Sequence, residues 1–209
     1  MKTELIVIRH GETEWNRIGR IQGQLDSALT PEGIVQAEAC AERLAAEKID
    51  RVVTSDSGRV LHTARILNSK LGRPMRHTSA LRERCFGIGE GRTYAELEVL
   101  HPGKFSRIHA VNAEFALDGG ESRRTFSERV VAAIQEISIE HAGERVLVVT
   151  HGGVLGMIYR WIKAMPVESS ASVPIPNVGY NVISREHDVW SVDCWADTSH
   201  LPVETMDGV

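Results

Sequence analysis

The chain has 209 residues, enough for one domain with a sizeable core, and its apolar and charged fractions of 42% and 25% are those of an ordinary globular protein. A formal charge of −4 excludes a general attraction to nucleic acid or to an anionic membrane, so an anionic ligand must be held by a local basic cluster. Three cysteines, Cys40, Cys85 and Cys194, show no CxxC spacing and fit a reducing compartment better than a disulfide framework or a zinc site.

Residues 5–8, "LIVI", read as a buried strand that ends abruptly in Arg9, His10 and Gly11. The run is too short for a signal peptide or a membrane span, so the expected location is the cytoplasm. A polar loop follows to Leu29. Thr30 then reads as an N-cap with Pro31 at the first helical position, and Ile34, Ala37, Ala41, Leu44 and Ala45 recur at helical spacing over residues 31–47. "DRVVTSD" is a short buried strand, and residues 57–71 form a second helix ending before Gly72 and Pro74. Residues 81–121 give weaker signals, for loops and short helices.

A long helix is expected over residues 122–141, stopped near Gly143. The strand over residues 145–150, "RVLVVT", leads into His151, Gly152, Gly153 and a helix over 153–164. Two more strands are expected over 178–184 and 189–194. Strand–helix alternation with fully apolar strands predicts a three-layer α/β/α sandwich with a mainly parallel sheet. The expected organisation is one domain over residues 1–209, with 92–120 as a short cap-like excursion.

In such folds ligands bind at the carboxyl ends of the strands. His10, Ser55, Asp56 and His151 all lie at or just after predicted strand ends and can converge there. Arg9 and Arg59 stand beside them, and a helix starting near Gly153 adds free N–H groups. Two arginines, two histidines and a helix N-terminus in an acidic protein make a phosphoryl group the expected guest. Spacing alone leaves open a module that binds phosphate without catalysis.

The motifs go further. "RHGETEWN" at residues 9–16, "RIQGQLDSALTPEG" at 20–33, "TSDSGRVLHTA" at 54–64 and "LRERCFGIGEGRTYAEL" at 81–97 resemble, in order, the motifs of the histidine phosphatase (phosphoglycerate mutase-like) superfamily. "GGES" at 119–122, "VVTHGGV" at 148–154 and "DTSHL" at 197–201 complete the series. The resemblance implies that His10 is the nucleophile, with its second ring N–H held by a backbone carbonyl. It implies that Arg9, Arg59 and His151 hold the phosphoryl group and that Glu83 donates the proton to the leaving group. Asn16, Gln22, Gly23, Gly152 and Gly153 would line the phosphate and substrate pocket.

The expected activity is metal-independent hydrolysis of small phosphorylated metabolites through a phosphohistidine, with no cofactor. The alternative is a phosphoglycerate mutase, which would use 2,3-bisphosphoglycerate. A non-catalytic phosphate-binding scaffold is the third reading. The resemblance admits a homodimer. Mutases with that cofactor carry a longer insertion with paired arginines, whereas 92–120 holds only Arg92, Lys104 and Arg107, and Arg123–Arg124 follow "GGES" instead. Phe105, Ile108 and Phe115 are expected to turn inward. His62 and Gly89 depart from the common pattern, and His62 reads as a packing residue on a helix face.

Overall fold

The first strand, β1 (Thr3–Arg9), divides its side chains between two cores: Leu5 and Val7 enter one, Ile6 and Ile8 the other. That alternation is the pleat of a strand covered on both faces. The computed structural model describes residues 1–103, 112–169 and 171–202. Within them β2 (Arg51–Ser55), β3 (Met75–Thr78), β4 (Arg145–Thr150), β5 (Tyr180–Glu186) and β6 (Val189–Asp197) join β1 in one sheet of order β3-β2-β4-β1-β5-β6. The pairs β1–β4, β4–β2 and β2–β3 are parallel, while β5 and β6 extend the sheet as an antiparallel pair.

Helices α2 (Pro31–Ala45) and α3 (Gly58–Leu71) bury Cys40, Leu44, Val60 and Leu67 against Ile6, Ile8 and Leu147. On the other face, α5 (Arg123–Glu140) and α6 (Gly152–Ile162) bury Phe126, Val130, Ile134 and Leu155 against Leu5, Val7 and Val148. The result is the expected three-layer sandwich. The two longest helices start where their caps place them: Thr30 accepts from Gly33 N at 2.9 Å, and Ser122 accepts from Thr125 N at 3.1 Å. Each such cap stabilises its helix by about 1 kcal/mol.

Two small elements were absent from the sequence reading. Helix α1 (Glu14–Arg17) buries no residue and is set by a reciprocal capping box between Thr13 and Asn16. Strand β3 is short and mostly exposed, so no apolar pattern announces it. Within the 92–120 segment, α4 (Tyr94–Leu100) is formed, and Phe115 packs against the buried group Ile21, Leu97 and Leu117. Lys104, Phe105, Arg107 and Ile108 lie outside the described residues. His62 is exposed on α3, so the packing expectation is corrected: it faces a shallow surface groove beside Asp26 and Ser27. Among the described residues no helix is long and apolar enough to cross a membrane.

Candidate active site

β1 and β4 are neighbours, and their register pairs Arg9 with Thr150. The next residue of each strand is therefore a histidine beside a histidine. His10 N donates to Thr150 O at 2.9 Å, and the two rings meet edge to face with centroids 5.6 Å apart. β2, on the far side of β4, brings Ser55 to the same end of the sheet.

The hydrogen bonds fix both tautomers. His10 Nδ1–H donates to Gly11 O at 2.8 Å, since a carbonyl can only accept. That leaves the Nε2 lone pair free, and Arg59 Nε–H donates to it at 3.3 Å. His151 is the mirror case: Nδ1 accepts from Arg59 Nη2 at 2.9 Å, and Nε2–H donates to Ser55 Oγ at 3.0 Å. Arg59, 2% exposed, thus sits between the two rings. Its remaining donors reach Gly23 O at 2.8 Å, Leu25 O at 2.6 Å and Asp26 Oδ1 at 3.0 Å. Asp26 also accepts from the Arg59 backbone N–H, which ties the start of α3 to the preceding loop.

Burial pushes both histidine pKa values well below the ordinary 6.5, and the charges of Arg59 and Arg9 push the same way. Both rings are therefore neutral in the free protein. Linkage gives the sign: below pH 6.5 the unfolded chain binds protons that these folded sites refuse, so stability falls as pH drops. Each site contributes a slope of up to about 1.4 kcal/mol per pH unit over that window. His200, also lowered by burial and by Arg43, adds to it. Urea midpoints should fall between pH 7.5 and 5.0 and fall less steeply in His10→Ala. A flat profile in the unsubstituted protein would mean that the folded imidazoles already carry protons.

Arg9 donates to Ile175 O at 2.8 Å, while its Nε is buried with no partner. A buried donor left open beside a chamber is one that a ligand oxygen can fill. Glu83 completes the wall: Oε2 accepts from Gly153 N at 2.8 Å and Oε1 from Arg84 N at 2.9 Å. A carboxylate at the first turn of α6 suits the helix dipole. Gly153 leaves room for the carboxylate, since a Cβ there would displace Glu83 Oε1 from this position.

The chamber is a cleft of about 350 Å³ whose lining includes Arg9, His10, Asn16, Gln22, Gly23, Arg59, Glu83, Gly152 and Gly153. His151 does not line it. It is fully buried behind Arg59, with both ring nitrogens engaged. Asn16 lines the cleft, but its Oδ1 is taken by Thr13, so the same residue builds α1. Gln22 Oε1 accepts from Ser27 Oγ at 3.2 Å.

Three further residues shape the site. Ser55 and Asp26 hold His151 and Arg59. Arg129, from α5, donates to Ala80 O and Arg82 O at 2.9 Å and to Glu83 O at 3.3 Å, so it fixes the segment carrying Glu83. Asp56 faces away and pairs with Arg82 through two 2.7 Å bonds. Among the described residues no group of three or more His, Cys, Asp or Glu could hold a metal.

A model of the histidine phosphatase superfamily (branch 1) matches residues 5–198. The chain belongs to the histidine phosphatase superfamily. It is an enzyme of the phosphoglycerate mutase-like group of that superfamily, and the match spans every site residue named above. The chain is 38% identical over 202 residues to phosphoglycerate mutase-like protein 4 of Arabidopsis thaliana, covering 95% of this chain and 86% of that protein. It is 37% identical over 202 residues to the metal-independent phosphoserine phosphatase of the same plant, covering 95% and 83%. The solved structure of Bacillus stearothermophilus YhfR superposes with a TM-score of 0.90 at 34% identity, covering 96% of this chain and all of that one. The histidine phosphatase fold thus extends over the whole described sheet.

Proposed function

We propose that the protein is a metal-independent phosphomonoester hydrolase that works through a phosphohistidine on small phosphorylated metabolites, with no bound cofactor. The observation that carries this reading is a neutral His10 whose Nε2 lone pair meets the Arg59 guanidinium, in a chamber that Glu83 also lines. A phosphoryl group entering the chamber offers oxygens to Arg59 Nε–H and to the open Nε–H of Arg9, which releases the His10 lone pair. His10 Nε2 then bonds to phosphorus as the ester P–O bond breaks. Charge spreads over the equatorial oxygens, where fixed guanidinium donors lower the barrier.

The departing alkoxide needs a proton, and Glu83 supplies it. Arrival of a phosphate dianion beside the carboxyl group favours its protonated form. The ionised carboxylate next takes a proton from water, the resulting hydroxide attacks phosphorus, and the P–N bond breaks to free phosphate and neutral His10. His151 acts behind this front. It holds the Arg59 fork in place and is itself held by Ser55. A scaffold that only bound phosphate would have no use for Glu83 as a proton donor.

The relative named phosphoglycerate mutase-like keeps a second reading in play, phosphoryl return to the substrate with 2,3-bisphosphoglycerate as cofactor. The deciding experiment incubates the protein with 3-phosphoglycerate, with and without 2,3-bisphosphoglycerate, and follows isomerisation and free phosphate together. Phosphate release is expected to dominate in both. Cofactor-stimulated isomerisation that outpaces phosphate release would replace hydrolysis with the mutase reading.

A further inference from the structure

The phosphate chamber does not end at Glu83. Glu83, Phe86, Tyr94 and Gly153 also line a second cavity of about 450 Å³, whose remaining wall includes Arg84, Arg123, Met157 and Arg160. Glu83 stands at the border between the two. A leaving-group acid at that border puts the ester oxygen beside it and the rest of the alcohol in the second cavity.

Three guanidinium groups converge there, and among the described residues none of them forms an ion pair. Arg84 has a structural task, donating to Glu121 O and Phe115 O at 3.0 Å. Arg123 and Arg160 are harder to explain by stability. Arg123 is the first residue of α5, where a cation opposes the helix dipole. Its neighbour Arg124 is paired with Glu114 and Glu168, whereas Arg123 has one long bond, Nη2 to Ser169 O at 3.4 Å.

Arg160 folds back along α6 and donates to Gly156 O at 3.1 Å and Ala171 O at 2.8 Å, while its Nε is buried without a partner. Gly156 makes room for this: a Cβ there would lie 3.2 Å from Arg160 Nη1. Burial lowers the pKa of all three arginines, and the charge of Arg123 lowers those of Arg84 and Arg160 further. Glu121 and Glu83 partly offset the charge of Arg84, and Glu168 that of Arg123, without forming an ion pair with either. Among the described residues no carboxylate offsets Arg160, whose Nε stays open. The missing partner is an anion.

We propose that Arg123 and Arg160 form an anion-binding subsite for the leaving group, so that the favoured substrates are small phosphomonoesters whose alcohol carries its own carboxylate or phosphate. The inference rests on the hydrolysis reading only in placing the ester oxygen at Glu83. Three esters on one carbon skeleton test it: glycerol 3-phosphate has no second anion, 3-phosphoglycerate has a carboxylate, and glycerol 1,3-bisphosphate has a phosphate. At least one of the latter two should exceed glycerol 3-phosphate in kcat/KM by about tenfold or more, as expected for charge-assisted hydrogen bonds. Which of them does so identifies the group.

Arg123→Gln and Arg160→Gln should each reduce that preference about tenfold. p-Nitrophenyl phosphate, whose leaving group bears no second anion, is the reference. Equal losses on it and on the favoured ester would overturn the subsite, as would an unchanged preference. If the unsubstituted protein releases phosphate from no ester, the hydrolysis reading fails by itself. The subsite is then judged by calorimetric titration of His10→Ala with the same three esters. Equal affinities for all three, or affinities unmoved by adding Arg160→Gln, would refute it.

Discussion

His10→Ala is expected to lose hydrolysis of p-nitrophenyl phosphate and of alkyl phosphates alike, by about 10⁴-fold or more, the scale seen when a covalent nucleophile is removed. The geometry says why no neighbour can substitute. His151 is the nearest imidazole, but it is buried behind Arg59, and its two nitrogens are engaged by Arg59 and Ser55. Arg9 and Arg59 remain as phosphate donors, so the variant should still bind substrate while failing to turn it over. The open Arg59 Nε–H, which in the native protein donates to His10, would then face the phosphoryl group directly. Rapid quench of the labelled-substrate reaction into alkaline detergent should trap a phosphoenzyme that is stable to alkali and lost on acid treatment in the native protein, and none in the variant. Circular dichroism separates this loss from unfolding. Activity surviving at more than a few per cent in a folded variant, or label found on another residue, would remove His10 from its role.

The same buried, cation-flanked setting bears on the pH profile. Because burial and two arginines hold His10 neutral well below pH 6.5, its titration does not set the acid limb of kcat/KM near its ordinary value. That limb belongs to the substrate phosphate, whose second ionisation lies at about pH 6. Neutral His10 is what the chemistry requires, and the fold supplies it without a dedicated base.

The parts of this design that sequence reveals are those with a one-dimensional signature. β1 and β4 carry unbroken apolar runs, residues 5–8 and 146–149, because both faces are covered there, and each strand is followed by histidine and glycine at the carboxyl edge of the sheet. Strand ends, two arginines and a helix start sufficed to expect a phosphate site, and the motif order placed Glu83 in it. β3 escaped because an edge strand with exposed side chains carries no periodic pattern; its place is set by pairing with β2. α1 escaped because it buries nothing and depends on a capping box closed by Asn16, a residue read as a ligand rather than a cap. Arg129 had no signal at all, since its role exists only once α5 crosses beneath residues 80–83. The arginine-lined cavity likewise joins the first turn of α5 to the end of α6, so spacing could note Arg123 and Arg124 but not where they point.

Glu83→Gln is the second large effect, and its size should depend on the leaving group. General acid catalysis contributes about 10²–10⁴-fold where the leaving alkoxide is poor, so hydrolysis of an alkyl ester such as glycerol 3-phosphate should fall by that amount. p-Nitrophenolate leaves without help, so its ester should lose about tenfold or less. The substitution is not silent in structure. Glu83 accepts one backbone N–H on each oxygen, from Arg84 and from Gly153. A glutamine can satisfy one of them and must present an N–H to the other, which costs on the order of 1–3 kcal/mol. That local cost falls on both substrates equally, so the difference between the two losses isolates the proton donated to the leaving group. Equal losses on both esters would strip Glu83 of the acid role and leave it as the residue that tethers α6 to the 80–83 segment. A selective loss assigns it the proton and fixes the border at which the alcohol departs toward Arg123 and Arg160.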